Sequence, residues 1–144
     1  MPGPARLTAM FVADHAEAVG GKLYVTGGCW DRLTAPQLPA VHPHLSLAIT
    51  LSLPAPRQTE RRRLEVRLLD PQGHDCLGGA VRSEFEVASP VDGADAVPVL
   101  LVLNFNALQL AHAGRYDFTV HMDGDEIGRT GFLVSSTTRR ATAD

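Results

Sequence analysis

The chain has 144 residues, 44% of them hydrophobic and 20% charged, the size and make-up of one globular domain. A formal net charge of -3, with Lys22 the sole lysine, gives none of the basic footprint that nucleic acid or anionic lipid would require. A chain of this length can bury roughly two-thirds of its unfolded surface, so neither a metal nor a disulfide is needed to fold it.

Residues 1–6 carry a single charge, Arg6, and the apolar stretch 7–13 stops at Asp14-His15. No small-residue cleavage pattern follows, and no run reaches membrane-spanning length. A cytoplasmic protein without a membrane partner is expected, and with it reduced thiols at Cys29 and Cys76.

Residues 7–12 read as a first strand. Residues 16–21 read as a connection with room for one helical turn, closed by Gly20-Gly21. Residues 22–26 form a second strand with Leu23 and Val25 on one face. Gly27-Gly28 suggests a bulge or a close backbone approach. Residues 33–43 hold three prolines and read as an irregular crossing rather than a ladder strand.

Residues 44–53 give the cleanest period-two signal. Leu45, Leu47, Ile49, Leu51 and Leu53 alternate with Ser46, Ala48, Thr50 and Ser52. Residues 60–69 alternate again, with Leu64, Val66 and Leu68 inward and Arg63, Glu65 and Arg67 outward. Asp70-Pro71-Gln72-Gly73 is a turn. Residues 74–87 read as a strand bent at Gly78-Gly79, and 89–96 as a loop. Residues 97–105 are nearly all apolar, which predicts a strand buried on both faces. Tyr116, Phe118, Val120 and Met122 alternate with polar neighbours, and Asp123-Gly124 predicts a tight hairpin of the positive-φ type. Residues 125–135 return as the last strand.

Strands at this spacing, with turn punctuation and no amphipathic helix of useful length, predict an all-β protein: an antiparallel sandwich of about eight strands. Residues 1–136 would form the one sandwich domain and 137–144 a polar tail. Gly114-Arg115-Tyr116-Asp117-Phe118 narrows the prediction to the immunoglobulin-like type. It has the spacing of a tyrosine corner, with Phe118 where antibody domains carry a core cysteine.

Two blocks also carry a resemblance. One runs from Phe11 through Asp14-His15 and Gly20-Gly21-Lys22 to Gly27-Gly28-Cys29-Trp30-Asp31. The other is residues 114–118 with the Asp123-Gly124 hairpin. Together they resemble an uncharacterised bacterial family, chiefly actinobacterial, whose members are about this length. This chain departs from its pattern at His15, where an alanine is usual, and at Cys29, where a third glycine is common. The resemblance implies a small β-sandwich of unknown role and brings no site residues with it.

Each chemical candidate has a plainer reading that is preferred. His42-Pro43-His44 sets two imidazoles two residues apart, so a metal set of His42, His44 and His74, with Asp75 or Cys76, can be written. The sequence lacks paired Cys or His motifs, and loop-edge histidines are the plainer reading. Asp14 and His15 point to opposite faces of a strand and cannot form a relay with each other. Cys29 beside Trp30 reads as a packing thiol. Asp123, Asp125 and Glu126 read as a solvated turn rather than a calcium loop. Arg61-Arg62-Arg63 reads as a strand edge that resists pairing. No nucleophile elbow and no phosphate-cradling glycine loop is present. The expectation is therefore a non-enzymatic protein-binding or scaffold module that associates with itself or with a protein partner, without cofactor. A small metal-dependent or ligand-binding enzyme using the histidines and a structural subunit of a larger bacterial assembly are the alternatives.

Overall fold

Period-two runs separated by glycine turns build nine strands in the computed structural model, which describes residues 5–137. They are β1 Arg6–Val19, β2 Lys22–Gly28, β3 Arg32–Ala35, β4 Ala40–Pro54, β5 Glu60–Leu69, β6 Val81–Val87, β7 Ala96–Leu110, β8 Gly114–Met122 and β9 Asp125–Ser136. No helix occurs among the described residues. Four strands form one sheet in the order β2-β1-β4-β7, and five form the other in the order β3-β9-β8-β5-β6. Every pairing is antiparallel except that of β3 with β9. The result is the all-β, immunoglobulin-like sandwich that the sequence predicts.

The alternation of β4 sets its leucines between the sheets. Leu45, Leu47, Ile49, Leu51 and Leu53 are at most 1% exposed. Leu64, Val66 and Leu68 of β5, Phe118 and Val120 of β8, and Phe132 and Val134 of β9 meet them from the facing sheet, equally buried. Removing each such side chain from water is worth on the order of 2 kcal/mol, well above a surface ion pair. The facing apolar sets, rather than the many arginine pairs outside them, therefore hold the sheets together.

Tyr116 locks one end. Its hydroxyl donates to the carbonyl of His112 at 2.9 Å and accepts the His112 N–H at 3.2 Å. Its ring stacks on Phe132 at 5.6 Å and 5°. Phe118 takes the place of a bridging cysteine and packs on Phe105 at 5.4 Å. Cys29 and Cys76 are both free.

Several elements differ from their sequence reading. Residues 16–19 are not a connection but the end of β1, paired with β2 from Ala16↔Val25 to Val19↔Lys22. Their helix-favouring composition yields to that ladder. Gly20-Gly21 is then the hairpin turn, with φ of 57° and 76°. Asp123-Gly124, at 50° and 95°, is the second turn of this kind, as predicted. The proline-rich crossing shrinks, because Arg32–Ala35 pairs with β9 and Ala40 already belongs to β4. Pro43 is accommodated inside β4 because the β1 ladder has ended at Ser46 and the β7 ladder passes it by, pairing His42↔Leu108 and His44↔Asn106.

Residues 74–80 are irregular, and β6 starts only at Val81. Gly78 and Gly79 have φ of 72° and 135°, outside any strand conformation. The Asp70–Gly73 turn forms as read, its carboxylate accepting the N–H groups of Gln72 and His74. Arg61–Arg63 lies on β5, an inner strand, so it guards no edge. β7 is not buried on both faces either: it is an edge strand, and residues 97–105 are half-exposed or exposed. Residues 1–4, and the proposed tail beyond Thr137, lie outside the described residues.

Tyr116→Phe removes both bonds of the corner and strands two backbone groups of His112. It should lower the unfolding free energy by about 1–3 kcal/mol in urea titrations followed by Trp30 fluorescence.

Candidate functional site

The metal set written from sequence does not assemble. Among the described residues, no three His, Cys, Asp or Glu side chains are placed to hold one metal ion together. His74 stands on the turn after β5 with its ring 76% exposed, beside Asp70. His42 lies edge-on to Trp30, the ring centroids 6.1 Å apart. Burial holds the His42 pKa below the ordinary imidazole value, and its Nε2 has no hydrogen-bond partner. Trp30 Nε1 is buried and unbonded beside it, and the two residues line a crevice with Asp14, Arg32 and Leu33.

The acidic hairpin tip is engaged by arginines. Asp123 accepts from Arg62 Nε at 2.6 Å and from the Arg63 N–H at 3.1 Å. Arg62 is almost wholly buried there and also reaches Glu60 at 3.2 Å. Glu126 is held by Arg129 at 2.8 Å, which lowers its pKa. Asp14 lies against Gly27, where any Cβ would collide with its carboxylate.

His44 does enter a cluster, with partners that sequence reasoning did not assign to it. The register Ala13↔Ser46 between β1 and β4, and His44↔Asn106 between β4 and β7, brings three strands to one patch on the outer face of the four-stranded sheet. His44 Nδ1 donates to Asn106 Oδ1 at 2.7 Å. His15 Nε2 meets Glu17 Oε1 at 2.8 Å. The remaining ring nitrogens, His15 Nδ1 and His44 Nε2, face each other at 3.4 Å. Ser46 Oγ lies 3.4 Å from His44 Nε2, donates to Asn104 Oδ1 at 2.5 Å, and accepts the Ala16 N–H at 3.0 Å. The sequence signals were Glu17 two residues after His15, and two asparagines interrupting the apolar run of β7. Only the strand register shows that they meet.

Ser46, His44 and Asn106 have the connectivity of a nucleophile, a base and its orienter. Ser46 is nevertheless wholly buried, and its hydroxyl proton is directed to Asn104. That arrangement positions an imidazole; it does not present a nucleophile.

The patch borders an open strand edge. Phe11, Ala48, Leu100 and Val102 share this face through the pairs Phe11↔Ala48, Ala48↔Val102 and Thr50↔Leu100. Beyond β7 no strand follows among the described residues. β7 carries no charged residue over its 15 positions. The other edges are short or charged: β3 has four residues, β6 carries Arg82, Glu84 and Glu86, and β2 carries Lys22 and two glycines.

Residues 8–135 match the model of a family of unknown function (DUF6941). No functionally curated protein matches the chain. The chain is similar to part of the alkylpurine DNA glycosylase AlkC of Pseudomonas fluorescens, solved bound to DNA containing an abasic-site analogue, with 13% identity and a TM-score of 0.55. That alignment covers 91% of this chain and 30% of the glycosylase, and the likeness is one of fold alone. A β-glucosidase of Listeria innocua aligns at 9% identity and a TM-score of 0.47, over 92% of this chain and 16% of its own. An immunoglobulin-like protein of Pseudomonas aeruginosa aligns at 14% identity and a TM-score of 0.39, over 92% of this chain and 97% of its own.

The two thiols differ in environment. Burial first, then Asp70 and Asp75, push the Cys76 pKa up to about 11, while Cys29 is exposed. At pH 8 Cys76 then holds ~100-fold less thiolate than an ordinary cysteine. A thiol-titrating disulfide reagent should label Cys29 rapidly and Cys76 in a phase about 100-fold slower, and Cys29→Ser should abolish the fast phase.

Proposed function

The chain belongs to the DUF6941 family of unknown function, and from that premise we propose that it is a non-enzymatic binding module that pairs with a second copy of itself along β7. The observation that carries this reading is the long, uncharged outer edge of that strand. Exposed strand edges are normally shortened, charged or covered, because their free N–H and C=O groups recruit another strand. In this chain β2, β3 and β6 are managed in those ways and β7 is not.

Pro98, which lacks an N–H, and Ala107, with φ of 54°, bracket the stretch able to form a regular ladder. Read backwards about Val102, that stretch sets Leu101 against Leu103 and Val99 against Phe105. Those pairs set apolar against apolar, Val102 meets its own copy, Leu100 meets Asn104, and no like charges meet. Two-fold pairing would join two four-stranded sheets into one of eight, with the patches around Phe11 and Val102 running on across the axis. A protein partner in a bacterial cytoplasm, rather than nucleic acid or membrane, agrees with the net charge of -3. The same edge would serve a subunit of a larger assembly.

Sedimentation velocity on the full chain should find a dimer at micromolar concentration. Val102→Lys sets two like charges across the axis, where such juxtaposition costs several kcal/mol. It should weaken association by about 100-fold or more while circular dichroism stays unchanged. A chain that is monomeric at every concentration, or a dimer indifferent to both Val102→Lys and Leu100→Lys, would refute the reading.

A further inference from the structure

We propose that His15 Nδ1 and His44 Nε2 are two ligands of a site for a divalent transition-metal ion such as Zn2+, on the outer face of the four-stranded sheet and open to water on its other side. The first argument is where the protons sit. His44 Nδ1 needs its hydrogen to bond Asn106 Oδ1 at 2.7 Å, and His15 Nε2 needs its own to bond Glu17 at 2.8 Å. In neutral rings the other two nitrogens then carry lone pairs, and they face each other at 3.4 Å. Ser46 Oγ, whose hydrogen goes to Asn104, brings a further lone pair to within 3.4 Å of His44 Nε2. Acceptors so placed repel one another unless a proton or a metal ion lies between them.

The second argument is spacing. Zn–N bonds of about 2.05 Å at a tetrahedral angle put two ligating nitrogens about 3.3 Å apart. The third is support around the rings. A ligating histidine characteristically donates its other N–H to a carboxylate or carbonyl, which fixes the tautomer, and Glu17 and Asn106 do this here. Both rings stand on paired strands, so the separation is set by the sheet, and His15 is half-exposed and reachable. Imidazole donors select Zn2+, Ni2+ or Cu2+ over Ca2+ and Mg2+. With two protein nitrogens, the remaining positions fall to solvent, which makes the ion exchangeable.

The test uses the full chain stripped with chelator and titrated calorimetrically with ZnCl2. One ion per chain is expected. The double variant His15→Gln/His44→Gln should abolish saturable binding, and Glu17→Gln should weaken it by about 10-fold. His74→Gln, away from the patch, should leave it intact, and circular dichroism would confirm that each variant folds. Nitrogen-15 imidazole spectra should show His15 Nδ1 and His44 Nε2 without protons, and both should shift on adding zinc. Absence of stoichiometric binding, binding unchanged in the double variant, or a proton shared between the two rings that zinc does not displace would overturn the proposal. The outcome is independent of whether β7 pairs with a second copy.

Discussion

The position of β4 between β1 and β7 is the constraint on which the rest of the molecule depends. Its side chains alternate with a period of two, so a slip of one residue would turn Leu45, Leu47, Ile49, Leu51 and Leu53 out to solvent. The penalty for that slip, several buried leucines at once, fixes the ladder on both sides. The same ladder then settles what appears on the opposite face. Ser46 and His44 have no freedom to choose partners: Asn104, Asn106 and His15 meet them because the leucines behind face the core. The polar cluster is thus a by-product of core packing in its placement, though not in its chemistry.

Much of the fold could be read from residues whose neighbours in sequence decide their environment. The alternation of residues 44–53, the Asp70–Gly73 turn, the Asp123-Gly124 hairpin and the Tyr116 corner are all local patterns with local physical causes. What could not be read was set by distant strands. Residues 97–105 are equally apolar whether a strand lies in the middle of a sheet or at its margin, and periodicity does not separate the two. Residues 16–19 have the composition of a helix turn, and only pairing with β2 makes them a strand. The arginine run looked like an edge guard because its acidic partners Glu84 and Asp123 are remote in sequence.

The site residues show the same division. His44 could be singled out because Pro43 and His42 lie beside it, yet neither His42 nor His74, the partners that could be written for it, joins it. His42 turns to Trp30, and His74 stays on an exposed turn. His15 and Asn106 lie 29 and 62 residues from His44 and join it through sheet register alone. Histidine clusters built across strands are generally invisible to spacing rules, which were framed on ligands carried by one turn or one helix.

Phe118 stands where related architectures place a half-cystine, and it is held by Phe105 and Phe132. Cohesion between the layers is therefore a matter of apolar contact, Phe105 on Phe118 included, indifferent to the electron supply of the surroundings. Recovery from denaturant calls for no oxidant and no isomerase that shuffles sulfur bonds, and glutathione at any ratio of its two forms leaves the centre of the molecule untouched.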